Sequence, residues 1–111
     1  MSARIVVRYN NLPRIAEKLP DAVSAVVRKA AFDVEAHAKS VVPVDTGKLK
    51  NSITVEFPNQ TKAIIAPHTE YAAYVEFGTH RQRAKPYMRP SAEKVAPAFL
   101  AAMKRLEERL K

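Results

Sequence analysis

Between Pro20 and Pro43 the apolar residues Val23, Val27, Ala30, Val34, Ala38 and Val41 recur at intervals of three and four. No other stretch limits the fold so strongly. The spacing predicts one long helix, opened by a proline suited to a first helical turn and closed ahead of a second proline. Arg28, Glu35 and Lys39 fall on its opposite face. The apolar stripe is thinned by alanine, so a second layer, such as a sheet, can pack close against it.

The remaining segments supply that layer. Ile5 to Tyr9 is short and β-branched and reads as a strand, while Leu12 to Lys18 forms a helical turn or two stopped by Pro20. Asp45 or Thr46 can cap a short helical turn that carries Leu49 to the core. Residues 52–57 alternate, with Ile53, Val55 and Phe57 on one face; Pro58 to Gln60 is a turn, and 61–66 a second strand. Tyr71 to Phe77 predicts a short helix with Gly78 as its C-cap. A last helix, capped by Ser91, aligns Val95, Phe99, Met103, Leu106 and Leu110; Pro97 should kink it. The expected class is α+β. A small antiparallel sheet with a hairpin packs against a long helix, a short helix and a C-terminal helix, in one domain over 1–111.

Composition removes several kinds of chemistry. With no cysteine there is no disulfide, no thiolate metal site and no Cys nucleophile, and two glycines leave no Gly-rich phosphate loop. No apolar run reaches a membrane span, and the N-terminus lacks the apolar core of a signal peptide, so no membrane partner is expected. The net charge of +8 divides unevenly: +3 over residues 1–40, −1 over 41–80 and +6 over 81–111. Arg81, Arg83, Lys85 and Arg89 share one short segment with no acid between them. Such a run reads either as a solvated loop or as a contact with an anionic partner, DNA phosphate or an acidic protein surface.

Catalytic motifs fail on context. Asp45-Thr46-Gly47 has the triplet of aspartic proteases, whose mechanism needs paired carboxylates in a tight loop. Here it follows a helix and Pro43, precedes basic Lys48, and lacks a later apolar-apolar-Gly segment; it reads as a helix-to-strand turn. Glu35 and His37 sit at i, i+2 and diverge on a helix. His68 and Glu70 match half of a zinc-deaminase motif whose other half requires cysteine. His80 lies in the basic loop. No catalytic residue, metal site or cofactor is expected. Tyr71, Tyr74, Phe77 and Tyr87 are more informative: half of the chain's eight aromatics fall within seventeen residues, beside the arginines. They suit either internal packing or a protein interface, and stacking on single-stranded nucleic acid is a further reading.

Three boxes in order carry a resemblance. Pro43, Asp45, Thr46, Gly47, Leu49 and Ser52 match Pro-x-Asp-Thr-Gly-x-Leu-x-x-Ser. Tyr71, Tyr74, Glu76, Phe77, Gly78 and Thr79 match Tyr-x-x-Tyr-x-Glu-Phe-Gly-Thr. Pro86, Tyr87, Arg89 and Pro90 match Pro-Phe-x-Arg-Pro, with Tyr87 in place of Phe. Over roughly 12–106 the chain resembles the head–tail joining, or tail-completion, neck proteins of long-tailed bacteriophages. That resemblance implies a non-enzymatic virion part, assembled in the bacterial cytoplasm as a homo-oligomeric ring between head connector and tail tube. It implies as partners other copies of the chain and other head-connector and tail proteins, with genomic DNA passing through the lumen. On this view Gly47 and Gly78 mark tight backbone points. Asp45, Thr46 and Glu76 serve as caps or interface hydrogen-bonders, and the 78–90 loop orders only against a neighbour.

Overall fold

Proline punctuation sets the longest element. In the computed structural model, which describes residues 3–9, 12–43 and 47–110, helix α2 runs Pro20–Val41, preceded by strand β1 (Ile5–Val7) and helix α1 (Leu12–Lys18). Pro20 stands in its first turn. At the other end, Val42 precedes Pro43 and takes the extended conformation (φ −62°, ψ 139°) that a following proline favours, which stops the helix. The inward stripe holds from Val23 to Ala38. Its last member is corrected: Val41 is 46% exposed, and Val42, four residues past Ala38, turns inward instead.

The chain continues through α3 (Lys48–Ser52), β2 (Thr54–Asn59), β3 (Lys62–Ala66), α4 (Ala72–Phe77) and α5 (Met88–Glu108). The three strands form an antiparallel sheet of order β1-β3-β2, with Ile5 opposite Ile65 and Val55 also opposite Ile65. Between Glu56 and Asn59 the hairpin register slips, because β2 carries one residue more than β3. That bulge holds Pro58, which has no N–H to give a ladder. The turn expected at 58–60 therefore sits later, at Gln60 and Thr61, where the Asn59 Oδ1 accepts from the Thr61 backbone N–H at 2.9 Å.

Helix α5 packs against α2, and the sheet packs on α2 as well. Val23, Val27 and Ala31 of α2, Ala63 and Ile65 of β3 and Met103 of α5 are almost wholly withdrawn from water. Phe99 sits edge-on to Tyr9, their centroids 6.4 Å apart. Helix α5 stays continuous through Pro97, which lies on an exposed position. The result is the expected α+β arrangement, but drawn out: extents of 53 × 23 × 20 Å and a radius of gyration of 15.4 Å, against about 13 Å for a compact chain of this length.

Candidate assembly surface

The residues that open α5, Lys85 to Pro90, include no Ser, Thr, Asp or Asn able to cap a helix. A helix start leaves four backbone N–H groups without intrahelical acceptors. Glu76, reaching from α4, takes three of them. Its Oε1 accepts from the N–H groups of Tyr87 (3.0 Å) and Met88 (2.8 Å), and its Oε2 from Arg89 (3.1 Å). The fourth position is Pro90, which has no N–H. Glu76 is only 4% exposed, and its charge stands at the positive end of the α5 dipole.

Tyr87 returns the contact. Its ring is fully buried, and its hydroxyl donates to the Ala72 carbonyl of α4 at 3.0 Å. Burial, followed by the neighbouring charges of Glu76 and Tyr71, holds the phenol above the ordinary tyrosine value. Each element thus sends one side chain to the other's backbone. These four bonds matter because, among the described residues, α4 packs extensively on no element, α5 included. Ser91 is not the cap expected from the sequence. It lies one turn inside α5, where its hydroxyl donates to the Tyr87 carbonyl and its oxygen is left to accept from His37 Nδ1 at 2.8 Å.

The loop between the two helices is also tied down. Gly78 ends α4 with its N–H on the Tyr74 carbonyl (2.8 Å) and takes a conformation (φ 78°, ψ 174°) essentially reserved for glycine. The Thr79 Oγ1 accepts from the N–H groups of Arg81 (3.2 Å) and Gln82 (3.1 Å), and the Lys85 N–H donates to the Val75 carbonyl (2.8 Å). The backbone of this loop is thus bonded within the subunit.

These bonds fix which side of α4 faces outward. At about 100° per residue, Ala72 and Glu76 share one side, and Tyr71, Tyr74 and Phe77 are centred on the opposite one. The first pair is buried; the three aromatics are exposed, Tyr74 by 61%. Two adjoining clefts of about 350 and 300 Å³ flank Tyr74. The larger is lined by Pro43, Gly47 and Leu49 of the first box and Tyr71, Tyr74 and Thr79 of the second; the smaller adds Arg83 and Lys85. Two boxes separated in sequence therefore meet in one place.

The other motif residues hold this surface together. Leu49 is buried, and Ser52 donates to the Leu49 carbonyl (2.7 Å) while accepting the His68 N–H (3.0 Å), which ties α3 to the segment after β3. Gly47 precedes α3 in the left-handed region (φ 75°). Asp45 and Thr46 lie outside the described residues. Pro86 is exposed. Of the four cations, Arg89 pairs with Glu93 at 3.0 Å, whereas Arg81, Arg83 and Lys85 have no acidic partner among the described residues. Sequence reasoning left Glu76 open between cap and interface; the structure shows the cap. The signal that points there is negative: a helix start without any capping side chain of its own.

Residues 9–78 match the protein family described as "Bacteriophage HK97-gp10, putative tail-component". The match takes in the first box and the second as far as Gly78, and ends before the third. No curated protein and no solved structure matches the chain. No helix among the described residues is long and apolar enough to cross a membrane.

Proposed function

Because the chain belongs to the bacteriophage HK97-gp10-like family, we propose that it is a single-domain, non-enzymatic part of the virion that completes the tail and joins it to the head. It works in the neck, as a ring of identical subunits assembled in the host cytoplasm. The observation that carries this reading is the outward face of α4. Three exposed aromatics sit on a short helix whose other side is locked to α5 by Glu76 and Tyr87. Aromatic residues mounted on a rigid support, beside arginines, are the composition of an interface core. That interface receives another neck protein; the ring itself closes through a separate pair of surfaces, one of each subunit against a different one of the next.

Negative-stain microscopy and analytical ultracentrifugation of the purified protein test the ring. Closed rings of one size support it; a monomer at every concentration, alone and with the tail tube, contradicts it. A second reading, a basic nucleic-acid-binding module, draws on Arg81, Arg83 and Lys85, which have no acidic partner among the described residues. It predicts tight DNA binding that weakens steeply with salt. The neck reading predicts weak binding to duplex and single strands alike.

A further inference from the structure

We propose that the double cleft around Tyr74 receives an acidic segment of a different protein, rather than a second copy of this chain or a nucleic acid. The inference deepens the neck reading by naming the kind of partner this surface takes. Three observations carry it. First, Arg81, Arg83 and Lys85 stand exposed and without acidic partners among the described residues, and the last two line the cleft beside Tyr74. An occupant that leaves them buried must bring negative charge.

Second, the chain has little such charge to offer itself. Asp33, Glu35 and Glu93 are each engaged by a cation one helical turn away, Glu76 is buried in the α5 cap, and Glu107 accepts from Tyr9. Five of the eleven acids are thus already engaged, and a second copy would bring the remainder on a protein of net charge +8, which repels another of its kind. Third, the site is poorly made for phosphate. The N-terminus of the long helix α5, which follows the basic loop, would be a ready anion site, but the Glu76 carboxylate already occupies its N–H groups. What remains is a concave, partly apolar cleft with cations at one end, which fits carboxylates alternating with apolar side chains.

The probe is a labelled peptide of alternating glutamate and valine, titrated into the full chain while backbone amide shifts and fluorescence anisotropy are followed. Saturable shifts are expected at Leu49, Tyr74, Thr79 and Gln82. Arg83→Glu with Lys85→Glu should weaken binding at least tenfold, as should Tyr74→Ala. Lys94→Glu with Lys104→Glu on α5, which changes net charge equally, should change it less than twofold. Circular dichroism melting confirms that each variant folds. The proposal is overturned if no saturable shift appears at the cleft, if both charge pairs weaken binding equally, or if an oligothymidylate binds the cleft more tightly than the peptide. Because the assay needs no virion, its failure leaves the neck reading standing. Absence of rings, in turn, leaves the peptide result intact.

Discussion

Glu76 is the residue on which the candidate surface hangs. Removing its carboxylate leaves three N–H groups at the head of α5 without acceptors in a site that water barely reaches. Glu76→Ala should therefore cost about 3 kcal/mol in chemical denaturation. Glu76→Gln should cost about half of that, since one amide oxygen still accepts while the new NH₂ opposes an N–H. Tyr87→Phe keeps the buried ring and loses only the bond to Ala72, for about 1 kcal/mol. Tyr87 also sets an alkaline limit. Its native phenol holds its proton above the unfolded value of 10.0, so its contribution is complete below that value and declines as pH rises beyond it. Stability measured against pH should fall above about 10, and less steeply in Tyr87→Phe. An equal fall in both proteins would remove Tyr87 from the explanation.

At the scale of elements, the two glycines make different demands. Among the described residues, a Cβ on Gly47 would meet nothing closer than 3.9 Å, so Gly47→Ala bears the left-handed conformation, about 1–2 kcal/mol. A Cβ on Gly78 would lie 2.7 Å from the Ala84 backbone nitrogen, in the loop that returns to α5. Gly78→Ala should cost clearly more and shift the amide resonances of residues 79–85, where Gly47→Ala should leave them in place. Sequence periodicity was enough for α2, the hairpin and α5, because their stripes are long and each faces one partner. It served α4 poorly. Helical spacing aligns Tyr71, Tyr74 and Val75 but leaves open whether they pack inward or form an interface, and the buried positions are Ala72 and Glu76. A six-residue helix is placed by its tertiary bonds, and those come from residues eleven to fifteen positions away. The boxes themselves were legible, but not that they share a cleft, since that depends on how α3 and α4 are brought together.

For the whole molecule, charge and shape point the same way. The excess of +8 is not a uniform coat; Arg83 and Lys85, without acidic partners among the described residues, border the exposed face of α4. The body is long and narrow, 53 Å in its greatest extent, a shape with room for the two separate contact surfaces that the proposed ring needs. The central claim is that the α4 face joins this subunit to its partners in the phage neck. Its most direct test is complementation of a parent phage lacking this chain, scored by electron microscopy. The wild-type protein should restore heads joined to tails, and a folded Tyr71→Ala, Tyr74→Ala, Phe77→Ala triple variant should leave heads and tails apart. Joined particles in wild-type numbers from that variant would contradict the account.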